Sequence, residues 1–211
     1  MSRLTKDKIK QHRAALERWQ RPEEMLRHYE EIRGAMTGEE FFNQPGIQFV
    51  RDAWAAATLG TARSAEEVRL VPEPERWPDF ALRRNGMTEQ WEVTEADIPG
   101  RRRGEEYQYD PLIPGDRALG LDHPENYIAR AERAPEAIRA ACTKKAAKNY
   151  SSSVSLLVYL NISDFGARHE QVVSSFPDAT RAAKDKFNEV WVLWKNCAYR
   201  VWPMVANEAG A

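Results

Sequence analysis

The chain has 211 residues, with 31 Lys and Arg against 32 Asp and Glu, a formal net charge of -1 and 42% hydrophobic residues. That balance excludes a globally basic nucleic-acid binder but not a local basic patch, and the 7 Trp, 7 Tyr and 7 Phe argue against disorder. No apolar run reaches the ~18 residues of a membrane span, and the opening MSRLTKDKIKQHR has no apolar signal-peptide core. The expected location is therefore cytoplasmic, away from membranes, with Cys142 and Cys197 reduced rather than forming a disulfide framework. His12, His28, His123 and His169 are scattered, without zinc-like spacing.

Residues 5 to 34 are densely charged, and Ile9, Leu16, Trp19, Leu26, Tyr29 and Ile32 recur at helical spacing. Pro22 separates two expected helices, because a first helical turn tolerates it. Gly38 and the Asn43-Gln44-Pro45-Gly46 stretch mark a loop. The Ala-rich run from Ile47 to Leu59 reads as a buried helix, with Gly60 as its stop. Three strands follow, over Val68 to Val71, Asp79 to Arg83 and Glu89 to Glu95. Asn85-Gly86 between the last two is a strong hairpin signal.

Residues 97 to 124 read as a long loop carrying Arg101, Arg102 and Arg103. Helix is expected from about Glu125 to Asn149, kinked or restarted at Pro135. Val154 to Ile162 is almost continuously apolar, as a central strand buried on both faces would be. A helix within 167 to 187 and strands over Glu189 to Trp194 and Ala198 to Trp202 complete the chain. The expected fold class is α/β, a mixed central sheet flanked by helices. A helical extension over 1–44 precedes a domain over 45–205, and would pack outside the core or serve as an interaction arm.

Alternation along Glu89 to Glu95 puts Gln90, Glu92 and Thr94 on one face and Glu89, Trp91, Val93 and Glu95 on the other. Asp79 opens the neighbouring strand, so cross-strand proximity can bring Asp79 and Glu92 to one cation. Two carboxylates completed by water and phosphate oxygens are a usual way to hold Mg²⁺. Each acid also has an ordinary use: Asp79 after Pro78 suits a turn, and Glu92 suits an exposed sheet face. By the same alternation Glu95 is a surface residue unless a bulge turns it inward.

With these residues in place, the chain resembles the PD-(D/E)XK nuclease superfamily, the restriction-endonuclease-like fold, over roughly residues 46 to 195. Pro78-Asp79 looks like the first half of the motif and Glu92-Val93-Thr94 like the second. Lys144-Lys145-Ala146-Ala147-Lys148-Asn149-Tyr150, leading into Leu156 to Asn161, looks like the helix and strand that follow. The resemblance implies a DNA-directed hydrolase that uses Mg²⁺ or Mn²⁺ on Asp79 and Glu92 and no small-molecule cofactor. Thr94 stands where the family has its lysine, and the resemblance implies that the following helix supplies it instead. With Ile138, Ala141 and Cys142 as the buried face, Lys145 lies seven residues after Ile138 and nearly in line with it. Lys148 falls at the edge of that face and Lys144 points away. Lys145, with Lys148 second, is therefore the expected catalytic lysine, there to orient water and offset phosphate charge. The first core helix offers only Asp52 as an acid, and the sequence does not place it in the site.

Arg101, Arg102 and Arg103 are expected to contact the phosphate backbone beside the site, and Tyr107 or Tyr109 could stack on a base. Cys142 reads as a buried small hydrophobe rather than a nucleophile. As the alternative reading, the missing in-strand lysine and the charged arm at 5 to 34 suit a catalytically degenerate nuclease fold acting as a nucleic-acid-binding or protein-interaction module. In either case DNA is the expected partner, and the arm offers a surface for a homodimer.

Overall fold

A computed structural model of the chain describes residues 4–72, 78–100, 124–150, 153–162, 166 and 168–203. At the N-terminus, α1 (Lys6–Leu16) starts at Thr5, whose Oγ1 accepts from the Lys8 backbone N–H at 3.3 Å. Pro22 opens α2 (Pro22–Gly34), and Glu24 reaches back to accept from the Arg21 N–H at 3.2 Å. Leu16, Met25 and Ile32 are buried against the sheet-covering helix α4 (Gln48–Ala62), so these helices share a core with the sheet instead of standing off as an arm. Gln20 exchanges backbone hydrogen bonds with Val68, covering part of an exposed sheet edge.

Two further details of the helices differ from the sequence reading. Gly38 begins a short helix, α3 (Gly38–Asn43), because Thr37 and Glu40 form a reciprocal capping box. Gly60 lies inside α4 instead of ending it. A Cβ there would meet Pro22 Cγ at 3.1 Å, so the glycine allows α2 to close onto α4.

Six strands form one mixed sheet in the order β1 (Glu67–Leu70), β2 (Phe80–Arg84), β3 (Met87–Ala96), β4 (Val154–Leu160), β5 (Val190–Trp194) and β6 (Cys197–Trp202). β1 to β3 form an antiparallel meander. β3, β4 and β5 run parallel, and β6 returns antiparallel. Asn85 and Gly86 both adopt positive φ, 52° and 72°, as a two-residue hairpin requires. The β3–β4 crossover contains α5 (Pro124–Glu132) and α6 (Ala134–Ala146), with Pro135 in the first turn of α6. Within 167 to 187, where a helix was expected, lie α7 (His169–Ser174) and α8 (Phe176–Ala179), followed by a short 3-10 turn over Arg181–Ala183.

β4 is buried on both faces. Leu156, Val158 and Leu160 pack with Ile138 and Cys142 of α6, while Leu157 packs with Trp91, Leu193 and α4. That explains its unbroken apolar run. Burial raises the Cys142 thiol to about 12, consistent with a packing role. Among the described residues no helix is long and apolar enough to cross a membrane.

Candidate active site

Asp79 immediately precedes β2, whose first pair with β3 is Phe80 opposite Trp91. Its backbone N–H donates to the Trp91 carbonyl at 3.0 Å, and its Oδ2 accepts from the Val93 N–H at 2.7 Å. The side chain thus extends the strand ladder by one hydrogen bond beyond β2. That fixes the carboxylate beside the middle of β3.

Glu92 projects from β3 onto the α6 face and is only 3% exposed. A buried carboxylate needs partners, and two are present. Lys145 Nζ lies 2.5 Å from Glu92 Oε2, and the Tyr150 hydroxyl donates to the same oxygen at 3.0 Å. Lys145 sits in the last turn of α6, on the side that buries Ile138 and Cys142. Its Nζ is also 3.8 Å from Asp79 Oδ2, so one ammonium bridges the two carboxylates. Lys144 is exposed. Lys148, exposed and just past the end of α6, reaches the site only as a charge that pulls Asp79 downward. Arg101, Arg102 and Arg103, and Tyr107 and Tyr109, lie outside the described residues.

A cavity of about 270 Å³ opens beside this cluster, lined by Asp79, Thr94, Glu95 and Lys145 and by Arg51 and Asp52 of α4. Glu95 is exposed and, without any bulge, lies on the strand face opposite Glu92 as alternation implies; it also lines the cavity, on the side of α4. Arg51 Nη1 donates to Glu95 Oε2 at 2.9 Å, and Asn161 Nδ2 donates to Glu95 Oε1.

The acids outnumber the cations facing them, and their titration reflects it. Burial pushes the Asp52 carboxyl up to about 7, and the charge of Asp79 adds to the shift against Arg51 and Lys145. Burial and then the charge of Glu92 raise Asp79, opposed by its bond from Val93 and by Lys145. Tyr150 is raised by burial and by Glu92, so its hydroxyl stays a donor. Sequence reasoning noted Asp52 as the one acid of a buried Ala-rich helix without placing it, and it named Tyr150 only as the end of the Lys-rich segment, with no role in the site. The signal for Tyr150 was its position directly after the Lys-rich segment.

The donor set suits a hard divalent cation such as Mg²⁺. It is all oxygen, and its excess negative charge is partly relieved at present by one ammonium. Among the described residues no three acidic, His or Cys side chains cluster tightly enough to chelate an ion alone. Water and substrate oxygens would therefore complete any shell, and Lys145 would have to loosen its contact with Glu92. No family model, curated protein or solved structure matches the chain.

Proposed function

We propose that the chain is a metal-dependent phosphodiester hydrolase acting on DNA, built on a restriction-endonuclease-like fold. The order α4, three-strand meander, helical crossover and β4 supports the fold reading. The observation that carries the function is the bridging of Asp79 and Glu92 by Lys145 Nζ, at 3.8 and 2.5 Å, beside an open cavity. Asp79 and Glu92 would hold Mg²⁺ or Mn²⁺, which when bound lowers the pKa of its water and offsets phosphate charge.

This chain's own residues do the rest. Val93 N–H fixes the Asp79 carboxylate, and Tyr150 does the same for Glu92. Lys145, placed between the acids and lining the cavity, orients the attacking water and faces the charge that develops on the phosphate. Water oxygen bonds to phosphorus and that water releases a proton, the bond to the leaving oxygen breaks, and the leaving oxygen takes up a proton, so that protons balance over the step.

The test is cleavage of plasmid and oligonucleotide DNA with Mg²⁺ or Mn²⁺. Asp79→Ala and Glu92→Ala should each lower the rate by roughly 10²–10³-fold or more, the scale at which removal of one charge-stabilising group acts. Undiminished cleavage by both variants would refute the site.

One observation favours a second reading. The 2.5 Å contact leaves Glu92 already neutralised by a lysine, as in a purely structural ion pair. A degenerate nuclease fold of that kind would bind DNA in a salt-dependent manner, without turnover and without taking up a metal.

A further inference from the structure

We infer that a second cavity, beside the carboxylate cluster, is a nucleobase subsite that takes one unstacked base of single-stranded DNA. The inference rests on the hydrolase reading and specifies its substrate class.

This cavity measures about 350 Å³, at the lower end of the ~300–1,000 Å³ typical of small-ligand sites. Its walls are aromatic. Tyr29 of α2, Phe41 and Phe42 of α3, Trp54 of α4 and Tyr159 of β4 all line it. Their rings already meet edge-on or tilted: Trp54 and Tyr159 at 4.9 Å between centroids, and Tyr29 with Phe41 at 6.4 Å and with Trp54 at 6.5 Å. Such a box accepts any flat π system, which is how proteins hold unpaired bases.

Two features select a nucleotide over a plain hydrocarbon. Arg33 and Arg51 both line the cavity, so an anionic group attached to the base meets guanidinium donors. The cavity also shares Arg51 and Tyr159 with the acidic one. The partition between them is a chain of side chains. Arg51 donates to Glu95 at 2.9 Å, Asn161 donates to Glu95, and the Tyr159 hydroxyl donates to Asn161 Oδ1 at 2.9 Å. A base seated among the rings would therefore hold its neighbouring phosphate close to Asp79 and Lys145. Bases stacked inside a duplex cannot enter such a box without being unstacked, so single-stranded DNA is the substrate this geometry favours.

The test measures binding to the full chain in EDTA, where no cleavage occurs. The probes are dT5, a five-unit abasic strand of the same charge, a blunt duplex and free dTMP. The wild type is expected to bind dT5 at least roughly tenfold more tightly than the abasic strand, the duplex or dTMP. Trp54→Ala should cost roughly ten- to a hundredfold in dT5 affinity, the usual effect of losing one stacking ring, and Trp54→Phe should recover most of it. Because Trp54 also packs against its neighbours, Phe42→Ala is paired with it, and the wild-type probe comparison needs no variant at all. Equal affinity for dT5 and the abasic strand, or preference for the duplex, would overturn the subsite. Metal-dependent cleavage would in that case still stand on Asp79 and Glu92. If dTMP bound as tightly as dT5, the cavity would belong to a free nucleotide and the proposal would be wrong. If no DNA bound in any form, the subsite would be wrong, while the hydrolase reading would be judged separately by cleavage with Mn²⁺.

Discussion

β3 carries a second ionic cluster on its opposite face, and the two are built differently. Arg63, at the end of α4, is 5% exposed in its side chain and lies 5.1 Å from the ring centroids of both Trp91 and Trp191. It pairs with Glu89 at 3.0 Å and with Glu189, while Arg84 and Arg200 reach the same two glutamates. Burial alone would raise Glu89, but hydrogen bonds and charge from Arg63 and Arg84 hold it below the ordinary carboxylate range. In the Lys145 cluster the imbalance runs the other way: Asp52 and Asp79 are both raised, and a cavity adjoins them. A cluster whose cations satisfy its acids, closed between two indoles, serves the fold. One left short of positive charge at an open cavity is suited to recruiting a cation.

The sharpest way to break this contrast is Arg63→Ala. It removes the most buried cation of the cluster, leaving Glu89 only Arg84 and Glu189 only Arg200 and the Trp191 indole, and should cost about 3 kcal/mol in urea unfolding. Lys145→Ala should cost less, about 1–3 kcal/mol, because the adjoining cavity lets water reach Glu92. In that variant Mg²⁺ should also raise the melting temperature more than in the wild type. No such rescue is expected for Arg63→Ala.

Asp52→Asn should stabilise the protein by roughly 2 kcal/mol at pH 8 in EDTA, a shift of several pKa units being worth ~1.4 kcal/mol each before relaxation. The sign follows from proton uptake. Between its unfolded value near 4 and its folded value of about 7, Asp52 binds more protons when folded. Its contribution to wild-type stability therefore declines as pH rises through that window. The gain from Asn should vanish near pH 4 in a series of denaturation curves. The smallest effect belongs to Tyr150→Phe. It removes one hydrogen bond to Glu92 and should cost about 1 kcal/mol, read from the same unfolding curves.

Local signals in the sequence carried much of this architecture. The unbroken run of β4, the Asn85-Gly86 turn and the restart at Pro135 each depend on neighbouring residues alone. The proximity of Lys145 to the acids was also legible, because helical geometry ties its direction to Ile138. Asp52 was not. In an Ala-rich helix buried on most sides, periodicity does not say which flank faces a cavity. The aromatic cavity was hidden for a related reason: its walls come from α2, α3, α4, β4 and the β5–β6 turn, brought together only by tertiary packing. Glu95 was read as a surface residue and is exposed; that it also lines the cavity depends on Arg51 of α4 standing beside it, which strand alternation does not show.

Whether Asp79 and Glu92 form a cation site is read from calorimetric titration with Mn²⁺ in chelator-free buffer. The wild type should bind one Mn²⁺ per chain, with binding lost or at least roughly tenfold weaker in Asp79→Asn and in Glu92→Gln. Absence of Mn²⁺ binding to the wild type, or undiminished binding in both variants, would contradict a cation site there.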